Sequence, residues 1–145
     1  MARYSVCFAH SGGVTTMLNA TAASFIRACQ QNPAVDRIYV CQNGIVGLIQ
    51  DKLFDVTAFS QDTLDTLAHT PSSVFGSCRK KLQNPSCDPA SYESLCHTLQ
   101  QRNIRHFVYQ GGNDSQDTTA KISQYAQAQG HPLQVIGLPK TIDND

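Results

Sequence analysis

The sequence contains no tryptophan, no excess of charge of either sign and no apolar run long enough to cross a lipid bilayer. Its 11 basic and 11 acidic residues give a formal net charge of zero at pH 7. A chain without net charge has no general electrostatic attraction to nucleic acid or to anionic lipid. The first residues, from Met1 to Tyr4, lead straight into a strand-like run and lack the apolar core of a signal peptide. We therefore expect neither nucleic acid nor a membrane among its partners.

Motifs for metal binding and for disulfide formation are missing as well. The six cysteines are scattered without a Cys-x-x-Cys pair, and the five histidines show no ligand spacing. Reduced thiols in the cytoplasm are the simplest explanation for cysteines in this pattern, so we expect a cytoplasmic protein. The chain does have 145 residues with 41% apolar side chains, which fits one domain with a real core.

Short apolar runs alternate with helix-like segments along the chain. The strand-like runs cover residues 4–9, 37–41, 104–109 and 133–138. Helical patterns occupy the stretch between Leu18 and Asn32, residues 61–68, the stretch from Asp88 to Leu99 and residues 116–129, whereas 45–60 and 70–89 look mostly irregular. This alternation predicts an α/β fold, a three-layer Rossmann-like parallel sheet with helices on both faces. Ligands of such sheets bind beyond the carboxyl ends of the strands, so the loops at those ends should cluster on one edge.

Two glycine pairs stand at predicted strand ends. Gly12-Gly13 follows the first strand, and Gly111-Gly112 precedes Asn113, Asp114 and Ser115. Glycine lets the backbone approach an anion closely, and the helix N-terminus that follows attracts negative charge. Each pair is also typical of a tight turn without a ligand, in which Asp114 and Ser115 would simply cap the next helix. The functional interpretation places Asn113 or Asp114 at a metal–phosphate site.

The last six residues, Lys140 to Asp145, put a cation, a hydroxyl and two carboxylates on one short stretch. A cation can hold a phosphate and a carboxylate can take a proton from an alcohol, which together suit phosphoryl transfer to a hydroxyl group. A polar surface turn is the alternative interpretation. The basic cluster Arg79-Lys80-Lys81 is likewise typical of a solvated loop as well as of an anion site. Of the histidines, only His10 lies beside one of these candidate loops.

In combination, four segments resemble the N-terminal portion of the phosphofructokinases. They are Ser11-Gly12-Gly13, Gly76-Ser77-Cys78-Arg79, Gly111-Gly112-Asn113-Asp114-Ser115 and Pro139-Lys140-Thr141-Ile142-Asp143-Asn144-Asp145. The last string is highly specific, and the glycine loops become specific in its company. The resemblance runs from Arg3 to the end of the chain. It implies that residues 1–145 are the N-terminal, phosphate-donor-binding portion, that the sugar-phosphate-binding portion is absent, and that this chain alone is inactive.

The resemblance is closer to the diphosphate-dependent subgroup than to the enzymes that use ATP. Diphosphate-using members carry an aspartate in place of a later glycine of the second loop and a lysine after the proline, and this chain has Asp114 and Lys140 there. A carboxylate at 114 would repel the α-phosphate of ATP, and a lysine at 140 would balance charge on diphosphate as its bond breaks. Two alternatives stay open, an ATP-dependent 6-phosphofructokinase and a non-catalytic regulatory subunit of the same fold.

The resemblance also implies a reaction and a set of roles. A full-length member, expected to be a homo-oligomer, would use diphosphate and Mg²⁺ to convert fructose 6-phosphate to fructose 1,6-bisphosphate in glycolysis. The catalytic residues would be Asp143 as the general base, Asp145, Lys140 and Asp114; the sugar would contact Thr141, Ile142 and Asp143; diphosphate would contact Gly12, Gly13, Arg79 and Ser115. Asn113 stands where the family usually places an aspartate that binds magnesium, and its amide oxygen offers a ligand without charge.

Overall fold

A five-stranded sheet organises residues 2–140, the part of the chain that the computed structural model describes. The elements in chain order are β1 (Tyr4–His10), α1 (Met17–Gln30), β2 (Val35–Cys41), α2 (Ile45–Ile49), β3 (Leu53–Asp55), α3 (Gln61–His69), α4 (Pro89–Gln101), β4 (Ile104–Gly111), α5 (Asn113–Ala128) and β5 (Gln134–Pro139). The sheet order is β3-β2-β1-β4-β5. The predicted alternation of strands and helices is therefore confirmed.

The four longer strands are parallel and end side by side. β1 pairs with β2 and with β4, and β4 pairs with β5. The register places His10 opposite Gln110 and Gly111 opposite Pro139. Because parallel strands deliver their carboxyl ends to one edge, the segments that follow β1, β4 and β5 leave the sheet next to one another.

Helices cover both faces of the sheet. One face buries Val6 and Phe8 of β1 against apolar residues of α1 and α3. The other face buries Cys7 and Ala9 against α2, α4 and α5. Successive side chains of a strand point to opposite faces, so a strand buried on both sides is mainly apolar, as β1 is from Val6 to Ala9. The prediction of a three-layer α/β fold is confirmed.

The region between β2 and α3 differs from the prediction. It holds the five-residue helix α2 and the three-residue strand β3, where the sequence analysis expected irregular chain. Neither element is long enough to show a helical or a strand period, so no pattern could reveal them. β3 pairs with β2 in the antiparallel sense, and the sheet is therefore mixed rather than wholly parallel.

Side chains cap the beginnings of α3 and α4, whereas α1 and α5 begin without a side-chain cap. Asp88 caps α4, where its carboxylate accepts the Ser91 N–H at 3.3 Å. Ser60 caps α3 in the same way. Thr16 stands at the N-cap of α1 without a side-chain hydrogen bond. α5 begins at Asn113 rather than at residue 116, because the extended backbone of Gly112 supplies its N-cap position.

The interior holds thiols that are not paired into disulfides. All six cysteines are free, and three of them are buried. Among residues 2–140, no helix combines the length and the apolar character that crossing a membrane requires.

Helix α1 offers a matched pair of substitutions that tests its packing. Ile26 is fully buried between the sheet and α3, so Ile26→Ala is expected to lower the free energy of unfolding by about 2–5 kcal/mol. Met17 lies on the same helix with 61% of its side chain exposed, and Met17→Ala is expected to change it by less than about 0.5 kcal/mol. Urea unfolding followed by circular dichroism measures both. Equal losses would contradict the burial of Ile26 against α3.

Candidate functional site

A pocket of about 390 Å³ opens at the carboxyl edge of the sheet. We call it the edge pocket. Its lining consists of Ser11, Gly12, Cys78, Arg79, Lys80, Gly112, Asn113, Asp114 and Ser115. These residues come from the segment after β1, the segment before α4 and the first turn of α5. Three separate stretches of sequence therefore contribute to one concave surface.

The first glycine loop is held on both sides by backbone hydrogen bonds. The Ser11 N–H donates to Gln110 O at 2.8 Å, and the Gly12 N–H donates to Cys78 O at 2.9 Å. The Ser77 hydroxyl donates in turn to Gly12 O at 2.9 Å. Gly12 has φ of +78°, a left-handed conformation that side chains other than glycine rarely adopt. The loop is thus fixed against both β4 and the 76–79 segment.

The second glycine loop packs directly on the first. The buried hydroxyls of Ser11 and Ser115 hydrogen-bond to each other. A Cβ at Gly111 would overlap both of these hydroxyl oxygens, so only glycine lets the two loops approach so closely. Ser115 therefore directs its hydroxyl to Ser11, and neither it nor Asp114 caps α5.

The N-terminus of α5 faces the edge pocket. Asn113 and Asp114 are exposed in its first turn. The unpaired N–H groups and the dipole of a 16-residue helix favour an anion at this end. The Asp114 carboxylate lies in this first turn and brings a negative charge of the protein itself to the end of the helix that favours anions.

Lys140 links the end of β5 to the first glycine loop. Its backbone N–H donates to Gly111 O at 2.8 Å, which extends the pairing of β5 with β4. Its ammonium group donates to Gly13 O at 2.5 Å. Partial burial lowers the pKa of Lys140, and the positive charge of Arg79 lowers it further. Two cations therefore lie close together at this edge, as an anion site requires.

The basic cluster Arg79-Lys80-Lys81 lies at the pocket. Arg79 and Lys80 line it, and Lys81 Nζ lies 3.6 Å from Asp114 Oδ1. That ion pair is exposed, with 60% and 78% of the two side chains accessible, so it contributes little to stability. The segment is anchored by Leu82, which is fully buried and whose carbonyl accepts the Lys121 ammonium at 3.0 Å. Two residues of the cluster, Arg79 and Lys80, therefore line the pocket while all three basic side chains remain exposed.

His10 lies fully buried at the end of β1. Its Nδ1 is 3.3 Å from Gln110 Oε1, and Gln110 Nε2 donates to Thr21 Oγ1 at 3.1 Å. The glutamine oxygen is thus the acceptor, so Nδ1 carries the hydrogen in this arrangement. Burial lowers the pKa of His10 to about 4; the bond to Gln110 opposes this shift, and the charge of Lys140 adds to it. A neutral ring therefore joins β1 to β4 directly below the loops.

Sequence reasoning missed the side chains beneath the pocket. Gln110 and Tyr109 belong to the buried strand β4 and are 4% and 1% exposed. The only signal in the sequence was that the polar atoms of Tyr109 and Gln110 follow the apolar Phe107 and Val108 near the end of the strand. Which partners satisfy those atoms depends on the register of β1 against β4, and one sequence does not specify that register.

The structure brings seven of the residues predicted for the site to the carboxyl edge. They are Gly12, Gly13, Arg79, Asn113, Asp114, Ser115 and Lys140. Predicted roles also fell on Thr141, Ile142, Asp143 and Asp145, which lie outside the described residues. Within residues 2–140, no group of three or more His, Cys, Asp or Glu side chains is arranged to hold a metal ion.

The edge pocket nevertheless fits Mg²⁺ as a partner of a bound phosphate. Asn113 and Asp114 are adjacent oxygen-bearing side chains at its mouth. Mg²⁺ usually takes one or two protein oxygens and completes its shell with water and phosphate oxygens. The two side chains suit such a site.

Comparison with known proteins agrees with the resemblance of the sequence to the phosphofructokinases. The family profile described as PFK: Phosphofructokinase matches residues 5–145. The pyrophosphate–fructose 6-phosphate 1-phosphotransferase of Xanthomonas campestris pv. campestris is 44% identical over 145 residues, and that of Halomonas elongata is 41% identical over 146 residues. Both alignments cover 100% of this chain but only 34% and 35% of the relatives, respectively. The chain thus spans about a third of the length of these curated relatives.

Solved structures show the same fold. The pyrophosphate-dependent phosphofructokinase from Nitrosospira multiformis matches with a TM-score of 0.89 at 40% identity, covering 97% of this chain and 34% of that chain. Phosphofructokinase from Saccharomyces cerevisiae matches with a TM-score of 0.69 at 21% identity, covering 99% of this chain and 18% of that one. The second likeness concerns the fold alone.

The buried His10 ring predicts a pH dependence of stability. In the unfolded chain the ring takes a proton near pH 6.5, whereas in the folded chain its pKa is about 4. Stability that is fully present above pH 6.5 is therefore lost as the pH falls toward 4, by about 3 kcal/mol in all. His10→Gln is expected to flatten this slope in urea unfolding at a series of pH values.

His97→Gln is the matched control for this experiment. His97 is exposed on α4, so its removal is expected to keep the wild-type slope. A wild-type slope in His10→Gln would show that another group causes the dependence.

Proposed function

Because the chain belongs to the phosphofructokinase family, we propose that this protein transfers a phosphoryl group from diphosphate to the 1-hydroxyl of fructose 6-phosphate. The products are fructose 1,6-bisphosphate and phosphate, a step of glycolysis. Residues 1–145 form the N-terminal, donor-binding portion in this proposal, and sequence outside this chain supplies the sugar-phosphate portion. The chain by itself is then inactive, and the intact enzyme is a cytoplasmic homo-oligomer.

The position of Lys140 is the observation that carries the proposal. Its ammonium reaches Gly13 O at the first glycine loop, close enough to Arg79 for the two charges to interact. Diphosphate brings several negative charges into a small volume, and phosphoryl transfer depends on cations that hold them in place. A pocket with Arg79, Lys80 and Lys140 around two glycine loops suits such a donor.

The donor portion binds diphosphate through backbone and charge together. The N–H groups at the start of α5 and the backbone N–H of Gly13 face the anion, Gly12 gives the loop its left-handed turn beside it, and Arg79 neutralises the anion from the basic cluster. Ser115 supports the loop through its bond to Ser11. Asn113 is the proposed protein ligand of Mg²⁺, which when bound shields the charge of the diphosphate oxygens.

The same pocket disfavours ATP. The Asp114 carboxylate stands at the pocket mouth, 78% exposed, where it repels a further phosphate group. Among the described residues, no aromatic side chain lines the edge pocket, so a nucleotide base finds no ring there on which to stack. Diphosphate has neither a further phosphate group for Asp114 to repel nor a base that must stack on an aromatic ring.

The acceptor side follows from the resemblance of the terminal string. Asp143 accepts the proton of the sugar 1-hydroxyl, and the freed oxygen forms a bond to phosphorus while the bridging P–O bond of diphosphate breaks. Thr141 and Ile142 contact the sugar, and Asp145 orients the site. Lys140 stabilises the negative charge on the departing phosphate.

Asn113 is the one feature that favours a second candidate, a non-catalytic regulatory subunit. An amide oxygen holds Mg²⁺ less strongly than a carboxylate would. The presence of Asp143 in the sequence argues for catalysis, because a silent subunit has no use for a general base.

Donor assays on the intact protein test the proposal. We expect diphosphate to support formation of fructose 1,6-bisphosphate in an aldolase-coupled assay, and ATP to fail. Asp114→Gly combined with Lys140→Gly is expected to lower diphosphate turnover by about 10²-fold or more, since it removes the transition-state cation, and to open the pocket to ATP. Turnover with ATP and none with diphosphate in the wild type would assign the ATP-dependent alternative.

The proposed base gives a second test. Asp143→Asn keeps the shape of the side chain but cannot accept a proton, so kcat is expected to fall by about 10²–10⁴-fold with little change in the KM for diphosphate. Asp117→Asn is the control, because Asp117 lies on α5 and pairs with Lys121 rather than lining the pocket. Wild-type activity in Asp143→Asn would refute the mechanism and favour a different base.

A further inference from the structure

Ser77 ties the first glycine loop to the segment that carries the basic cluster. Its hydroxyl donates to Gly12 O at 2.9 Å, and the Gly12 N–H donates to Cys78 O at 2.9 Å. Both polar backbone groups of Gly12 are therefore engaged by two consecutive residues, and Arg79 follows them directly. This pair of bonds holds Gly12 in its left-handed conformation beside the edge pocket, which Gly12 and Cys78 both line.

The bond from Ser77 fixes the orientation of one peptide group. The peptide that joins Gly12 to Gly13 is planar and trans, so its C=O and its N–H point in opposite directions. With Gly12 O turned to Ser77, the Gly13 N–H points away from that hydroxyl. Gly13 is half-buried, and its N–H donates none of the hydrogen bonds found within residues 2–140. It is therefore available to an acceptor from outside the chain.

Asn19 fixes the start of the same segment. Its side chain is fully buried on α1. Its Nδ2 donates to Thr70 O at 2.9 Å and to Ser72 O at 3.0 Å, and its Oδ1 accepts the Val74 N–H at 3.1 Å. Residues 70–88 contain neither helix nor strand. A loop of that length in a compact domain usually carries a function, and here one side chain satisfies three of its backbone groups.

The segment is anchored again just before Ser77. Phe75 is 4% exposed, and its carbonyl accepts the Asn43 N–H at 2.9 Å. Gly76 follows with φ of +77°, and a Cβ there would overlap the side-chain oxygen of Asn43. Ser77 therefore meets Gly12 from a position that the core and the end of β2 determine.

We infer that Ser77 is a positioning residue for the phosphate donor: its hydroxyl holds the Gly12–Gly13 peptide so that the Gly13 N–H is presented to diphosphate. This inference rests on the proposed function, in which Gly13 and Arg79 contact the same anion. The Ser77 hydroxyl acts through Gly12 O and not on the substrate. Its effect is therefore expected in donor affinity rather than in the chemical step.

Ser77→Ala in the intact protein tests the inference. Loss of this hydrogen bond is expected to raise the KM for diphosphate by about three- to tenfold, while kcat and the KM for fructose 6-phosphate change by less than about twofold. The bond from Gly12 to Cys78 O remains, so the loop stays in place and only the orientation of the peptide is released. Ser77→Thr keeps the hydroxyl and is expected to retain a KM within about twofold of the wild type. Equal KM values in the two variants would overturn the inference.

Ser73→Ala is the matched control. The Ser73 hydroxyl donates to Gly76 O at the same distance of 2.9 Å, but that bond stays within the segment and does not reach the glycine loop. Its loss is expected to lower the melting temperature by an amount similar to that in Ser77→Ala and to leave the KM for diphosphate within about twofold of the wild type. A KM raised equally in both alanine variants would assign the effect to the stability of the segment and overturn the inference.

Calorimetric titration with inorganic diphosphate and Mg²⁺ separates this inference from the proposed function. Wild-type turnover with diphosphate, together with an unchanged KM and unchanged binding in Ser77→Ala, would overturn the inference and leave the function standing. Binding without turnover in the wild type, weakened in Ser77→Ala and restored in Ser77→Thr, would support the inference and overturn the function. A wild type that does not bind diphosphate would overturn both.

Discussion

The parallel register of β1, β4 and β5 is the constraint on which the site depends. It sets His10 beside Gln110 and Gly111 beside Pro139, so the three segments that follow these strands start within one or two residues of each other along the edge. A slip of one residue would turn every side chain of a strand to the opposite face. β1 packs the large Val6 and Phe8 on one face and the smaller Cys7 and Ala9 on the other, so a slip would exchange large and small side chains in a close-packed core. Core packing thereby controls where the charged groups stand.

Charge in the edge pocket is balanced rather than uniformly positive. Arg79, Lys80 and Lys140 surround a place that a helix N-terminus already makes favourable for anions, and Asp114 sets one negative charge among them. A purely cationic pocket would attract any polyphosphate. In the proposed function, the carboxylate would exchange some general affinity for discrimination by length, which favours a small inorganic anion over a longer polyphosphate.

Much of the fold could be predicted from the sequence, because long elements carry their own signals. β1 and β4 are apolar runs that end in polar and glycine residues, and Asp88-Pro89 marks the start of α4 with a cap and a proline. α2 and β3 could not be predicted because each is shorter than two periods of its pattern, so no repeat is visible in the sequence. The start of α5 at Asn113 could not be predicted, because it depends on the backbone conformation of Gly112 and no side chain signals it.

The site itself was predictable only in part. The loops carry recognisable residue strings, whereas the contacts of His10, Gln110 and Tyr109 are with neighbours up to a hundred positions away in the chain. Lys140 shows what such long-range contacts achieve. A lysine that is ordered only when its ligand arrives gives up roughly 1.5–2 kcal/mol of rotamer entropy. Here the carbonyl of Gly13 already restrains the ammonium, so folding has borne that loss, and binding of the proposed anion would not incur it a second time.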